Sequence, residues 1–279
     1  AGGRGIVINL AVASGIAALA WGLIETVGGV AQWVALGIGV YSAFSWAQTL
    51  VFRDPPAFGL IFGSRTMRMV LIGFPCISFV TYGIGFWGAP FFIRVHGASA
   101  SEVGTYLGLS AAVGGWIGVT MGGVLSDRFK ARSPAARIWV GLITVLASVP
   151  AALTVLFSES VVTAYIANFC FSVLSPMWVG CAATTVTDLV LPRMRALATS
   201  FYLLMNTFIG LALGPYTIGR VSDGFAAAGM ASGDALRMGM VSALAILVVV
   251  ATTLVLAARH IAADEGSRVE RARAMGEDV

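Results

Sequence analysis

Apolar residues along this chain neither alternate nor keep to one helical face; they run on for whole spans. Eight such runs can be drawn, at 6–24, 32–52, 69–93, 102–125, 135–157, 161–189, 197–221 and 238–258. A helix of roughly 20 apolar residues crosses the hydrocarbon of a bilayer, so the pattern predicts an all-α polytopic membrane protein with eight transmembrane helices. Turn-forming residues mark the breaks: Arg53-Asp54-Pro55-Pro56 after the second run, His96-Gly97-Ala98-Ser99 between the third and fourth, and Leu191-Pro192-Arg193 between the sixth and seventh. The breaks are short, except for a linker over 53–68 that reads as hydrophilic. A tail over 264–279 mixes acids and arginines and predicts a solvated helix or a disordered end.

Composition narrows the class further. Of 279 residues, 58% are hydrophobic and 11% charged, with a mean hydropathy of +0.90. A soluble domain carries about 25% charge and could not hide this much apolar surface, which excludes soluble enzymes, nucleic-acid binders and disulfide scaffolds. The 34 Gly, 16 Phe and 7 Trp suit close-packed helices better than a β-barrel. Cys76, Cys170 and Cys181 all fall inside apolar runs and predict free thiols. His96 and His260 have no second ligand near them in sequence, and there is no phosphate loop or nucleophile elbow, so no metal, cofactor or enzymatic chemistry is expected. The opening Ala1-Gly2-Gly3-Arg4-Gly5 has no Met and no cleavable leader, and the chain reads as cut at its start.

The net charge of +4 resides in the connections. Alternate connections on one side hold 14 Lys and Arg, including Arg53, Arg65 and Arg68, the cluster Arg128, Lys130, Arg132 and Arg137, and Arg193 and Arg195. The other side holds 3, Arg94, Arg220 and Arg237. Positive charge stays on the cytoplasmic side, which predicts an integral protein of the plasma or bacterial inner membrane with both ends in the cytoplasm.

A short motif repeats. Gly123-Val124-Leu125-Ser126-Asp127 closes the fourth run, and Gly219-Arg220-Val221-Ser222-Asp223 closes the seventh, 96 residues later. By the charge count the two copies lie on opposite faces of the membrane. That geometry predicts an inverted repeat, with runs three to five and six to eight as two copies of one unit. The expected organisation is a two-helix segment over 1–54, a linker over 55–68, a six-helix bundle over 69–260 and a tail over 261–279.

The first copy continues through Arg128, Lys130 and Arg132 and resembles the conserved cytoplasmic loop of the major facilitator superfamily, with Lys130 where that family usually has Gly. Pro192-Arg193-Met194-Arg195 followed by Asn206, Gly210, Gly214 and Pro215 resembles the eleventh helix of spinster-type members and the loop before it. The ending Arg53-Asp54-Pro55-Pro56 and the segment Trp87-Gly88-Ala89-Pro90-Phe91-Phe92-Ile93-Arg94 are similar to the ends of their sixth and seventh helices. The resemblance implies that the eight spans correspond to helices five to twelve of that fold, with helices one to four missing, in a transporter that works by alternating access. It further implies a lysophospholipid-like or sphingosine-phosphate-like substrate, with proton coupling carried by the early helices.

Candidate residues emerge from helical spacing. Phe74, Ser78, Thr81, Tyr82 and Gly85 share one face of the third span, Tyr165, Asn168, Ser172 and Ser175 one face of the sixth, and Tyr202 and Asn206 are one turn apart on the seventh. These faces carry no formal charge and are expected to line a cavity at bilayer mid-depth for the apolar part of a small amphiphile; the alternative is ordinary interhelical hydrogen bonding. Asp127, Arg128, Arg132 and Arg195 are expected to form a cytoplasmic gate, with Asp127 latching onto a helix of the other bundle. Asp223 and Glu25 read as surface groups. The glycines Gly104, Gly108, Gly114, Gly118 and Gly122, with Gly210 and Gly214, predict close helix contact. A drug or organic-anion exporter is the alternative within transport, and a channel or membrane scaffold is the alternative if the chain is complete. The partners expected are the substrate, membrane lipid and the four missing helices, with no nucleic acid.

Overall fold

The computed structural model describes residues 3–278. Ala1, Gly2, Val279 and the side chain of Arg4, which contribute to the cut start and to the charge balance, lie outside the described residues. Eight helices are long and apolar enough to cross a membrane, and there is no strand among the described residues. We number the helices α1 (Gly3–Val27), α2 (Val30–Arg53), α3 (Pro55–Gly63), α4 (Arg65–His96), α5 (Ala100–Lys130), α6 (Ala136–Phe157), α7 (Val161–Asp188), α8 (Pro192–Ala227), α9 (Ser232–Gly266) and α10 (Arg268–Arg273). Local chemistry sets the ends. Asp54 accepts the Ala57 N–H to cap α3, with Pro55 and Pro56 in its first turn. Ser99 and Glu102 form a capping box at the start of α5.

α4 to α9 interlock along two matching seams. The first helix of each unit packs against the second and third helices of the other: α4 against α8 and α9, α7 against α5 and α6. On one seam Gly114 sits on Ser172 and Gly118 on the Val173 carbonyl; on the other Gly210 sits on Ser78 and Gly214 on the Phe79 carbonyl. A side chain at any of these glycines would overlap its neighbour, so the seams exist because the residues there are small. Both second helices also widen into a π turn at equivalent places, Ser110–Gly114 in α5 and Asn206–Ala212 in α8. Gly114 and Gly210, and likewise Gly118 and Gly214, are 96 residues apart, the spacing of the repeated motif. Gly104 and Gly108 depart from expectation. They face open space, on a side of α5 that meets no neighbouring helix.

The α1–α2 hairpin lies along α8 in antiparallel register. Val27 O accepts from Arg220 at one end, Trp33 meets Tyr216 edge-on, Phe208 fills the space beside Gly39, Trp46 stacks on Phe201 at 4.8 Å, and Asp54 pairs with Arg193 at the other end. Two expectations are corrected nearby. The linker is not hydrophilic: its α3 buries Pro56, Ala57, Leu60 and Ile61. The tail is not a free solvated end: α10 packs on α3, Ala272 is fully buried and Met275 covers Gly59. Ala and Met among the tail's charges supply an apolar face, and α3 supplies its complement.

Candidate functional site

α4 is the central strut of the six-helix unit, and its middle, from Gly73 to Val80, is buried on every side. Polar groups in that stretch therefore meet other helices. Ser78 is completely buried, and its hydroxyl donates to Asn206 Oδ1 across the α4–α8 seam, beside the π turn that Asn206 opens. Phe74 does not line a cavity. It is fully buried, stacked on Trp178 of α7 at 6.0 Å and seated over Gly141 of α6. Spacing alone could not show this, since a stripe wide enough to hold Phe74 and Tyr82 wraps around a helix surrounded by neighbours.

One turn further along α4 the environment opens. Thr81 is half-buried and Tyr82 is 42% exposed, whereas Tyr202, one turn before Asn206 on α8, is buried. Ser78 and Asn206 meet where α4 meets α8, with the uncharged Thr81 and Tyr82 one turn along α4 from Ser78. On the equivalent seam, Ser172 is half-buried against Gly114, and Asn168 is half-buried one turn away on α7. Tyr165 belongs elsewhere. It stacks on Phe92 at 4.7 Å and on Tyr106 at 4.6 Å, in a cluster with Phe91 and His96 near the far ends of α4 and α5. The structure brings Ser78 and Asn206 together, sets Asn168 and Ser172 on the partner seam, and puts Tyr165 in the aromatic cluster with Phe92 and Tyr106.

The expected gate is rearranged as well. Asp127 accepts from Arg137 Nη2 at 2.8 Å, so among the described residues its partner lies in α6. Arg137 also pairs with Asp188, which lies 3.2 Å from Lys130; Lys130 reaches Glu265 at 2.6 Å, and Arg268 donates to the Asp188 carbonyl at 3.1 Å. This network ties the ends of α5, α7 and α9 to the start of α6. The roles of Asp188 and Glu265 are not legible in the sequence, because each lies at the end of an apolar run and outside any motif. Arg128, Arg132 and Arg195 are exposed, and none has a carboxylate partner among the described residues.

The contact that does join the hairpin to the larger unit is Arg193 with Asp54, to which Glu277 of the tail adds a second carboxylate. Hydrogen bonds from Arg193 and Ala57 hold the Asp54 carboxyl below the usual carboxylate range, although its burial acts the other way. Arg193 lowers the Glu277 carboxyl likewise.

No family model matches the chain. An MFS-type efflux pump of Mycolicibacterium smegmatis is 25% identical over 194 residues, covering 70% of this chain and 45% of that protein. Protein spinster homolog 1 of Bos taurus is 28% identical over 166 residues, covering 54% of this chain and 31% of the relative. The chain therefore spans less than half the length of these curated relatives. Among solved structures, a bacterial homolog of the human lysosomal transporter spinster, inward-facing and unoccupied, superposes with a TM-score of 0.65 at 25% identity over 95% of this chain and 66% of that one. Its inward-facing and occupied form gives a TM-score of 0.62 at 26% identity over 83% and 58%. In sequence and in fold the chain is thus similar to spinster-type transporters and to an efflux pump of the major facilitator superfamily.

Proposed function

We propose that this chain is part of a secondary active transporter that carries lipid-like amphiphiles by alternating access. In this reading the α1–α2 hairpin over 1–54 belongs to one bundle and residues 69–260 form the other. The linker over 55–68 and the tail over 261–279 lie on the cytoplasmic side, as do both ends of the segment. Helices corresponding to the first four of the relatives complete the central cavity and carry proton coupling. The observation that carries the reading is the pair of matching small-residue seams. They make α4 to α9 one interlocked body able to move as a unit against a second bundle. Thr81, Tyr82, Tyr202 and Asn206, with Asn168 and Ser172, form the substrate wall. Its aromatic and amide groups without formal charge suit an acyl-bearing molecule better than a sugar, whose hydroxyls would need more partners.

The test is uptake of a fluorescent lysophospholipid into proteoliposomes holding the full-length protein, with and without an imposed pH gradient. Saturable transport that the gradient accelerates is expected, with KM raised severalfold by Tyr82→Ala. A second reading is favoured by the efflux-pump relative, whose match covers more of the chain than the spinster matches do. Transport of a lipophilic dye without movement of the lysophospholipid would replace the first reading by the second.

A further inference from the structure

The cations of the α5–α6 connection divide into two pairs with opposite fates. Lys130 and Arg137 turn inward and are taken up by Asp127, Asp188 and Glu265. Arg128 and Arg132 turn outward, exposed, with no carboxylate partner among the described residues. Arg132 stands over the Phe129 ring at 5.9 Å, which fixes the guanidinium near the membrane edge of α5. Its carbon stem also borders a groove of about 450 Å³ between α5 and α6, walled by Leu125, Phe129, Trp139, Val140 and Ile143 with Ser133 and Thr144 beside them. Trp139 is 40% and Ile143 60% exposed in that groove, and its accessible wall is entirely apolar.

An apolar groove running into the bilayer from an unpaired guanidinium matches one kind of molecule in charge and shape. We propose that it is a selective site for an anionic phospholipid of the leaflet on the α5–α6 side. The planar guanidinium of Arg132 meets the phosphate with two parallel N–H donors, Arg128 adds positive charge one turn earlier, and an acyl chain lies along Trp139 and Ile143. A zwitterionic lipid fits the same walls, but its headgroup cation meets two arginines. The choice between them is therefore electrostatic. A juxtamembrane Arg contributes about 1 kcal/mol toward anionic lipid, equivalent to about fivefold in affinity.

Trp139 supplies the probe. The full chain is placed in nanodiscs of phosphatidylcholine doped with either brominated phosphatidylglycerol or brominated phosphatidylcholine, and the signal of a Trp139→Phe variant is subtracted. The site predicts that half-maximal quenching of Trp139 comes at about a fivefold lower fraction of the anionic lipid. Arg132→Gln brings the two lipids to near parity, while Arg94→Gln, at the opposite membrane face, leaves the preference intact. Ile143→Phe, which narrows the groove with Arg132 in place, weakens quenching by the anionic lipid and guards against misfolding of the arginine variant. Equal quenching by both lipids in the unmodified protein would overturn the proposal, as would a preference that survives Arg132→Gln. Displacement of the lipid by glycerol 3-phosphate in the buffer would make the site one for soluble phosphates, and also count against it.

Discussion

Arg193 holds Asp54 with both ends of its guanidinium, Nη1 2.7 Å from Oδ2 and Nη2 3.1 Å from Oδ1, although 139 residues separate them in the chain. The two sides of this contact are unequal. Asp54 also accepts the Ala57 N–H at 3.1 Å and caps α3, whereas the Arg193 side chain is about half exposed.

Removing either partner therefore has different consequences. Arg193→Ala is expected to cost at most about 1 kcal/mol, the usual worth of a solvent-exposed ion pair. Asp54→Ala adds the loss of the cap, about 1 kcal/mol more. Thermal unfolding in detergent should rank Asp54→Ala below Arg193→Ala, and the reverse order would mean that the second pair of Arg193, with Glu277, outweighs the cap.

The same cluster fixes a pH dependence. Asp54 and Glu277 are both held below the usual carboxylate range by Arg193. A carboxylate depressed in the folded state contributes stability that is complete above its unfolded value and is lost as the pH falls through the folded one. The tail should thus stay docked on α3 from neutral pH down through about pH 5 and release only below about pH 4, where the carboxylates protonate. A fluorophore pair on the tail and α3 would report the release; release already at about pH 6, in the range of an ordinary histidine, would point to a different group.

The paired seams predict matched costs. Gly118→Ala and Gly214→Ala each drive a methyl group into a backbone carbonyl of the facing helix, Val173 in one case and Phe79 in the other. Overpacking of this kind costs about 1–3 kcal/mol, and the two variants should lose similar amounts. Gly104→Ala and Gly108→Ala face open space and should be neutral, or stabilising by up to about 1 kcal/mol through helix propensity. Denaturant titrations of the four variants decide the matter, and a large loss at Gly104 would contradict the packing described.

At the charge network, Asp188 should matter more than Asp127. Asp127 serves Arg137 alone and its side chain is 65% exposed, while Asp188 meets both Arg137 and Lys130 and is 23% exposed. Asp188→Asn leaves two half-buried cations with weakened partners, so its loss of thermal stability should be at least twice that of Asp127→Asn.

Ser78 and Tyr82 separate structure from contact with substrate. Ser78→Ala removes a buried interhelical hydrogen bond worth about 1 kcal/mol. It should lower stability with little change in KM, whereas Tyr82→Ala should raise KM with little change in stability. Transport assays and unfolding curves on the same two proteins give both readouts.

Those features that the surrounding solvent imposes were legible in the residues alone. With 58% hydrophobic residues in runs long enough to span a bilayer, helices are the structures that satisfy their own backbone in lipid, and the runs placed all eight. Small residues at regular spacing marked the seams at Gly114, Gly118, Gly210 and Gly214, because close helix contact demands particular residue sizes at particular places. Periodicity left open which face of a spanning helix meets protein and which meets lipid, since both are apolar and the contrast that marks a buried face in water is missing. It took the packing of the helices to send Phe74 in beside Trp178 and to leave Gly104 bare. The partners of charged groups were undecided for a related reason. Asp127 turned to Arg137, ten residues away, while Asp54 found Arg193 across the fold, because an ion pair is set by where helix ends meet and the packing of α2 along α8 and of the tail on α3 brings those ends together.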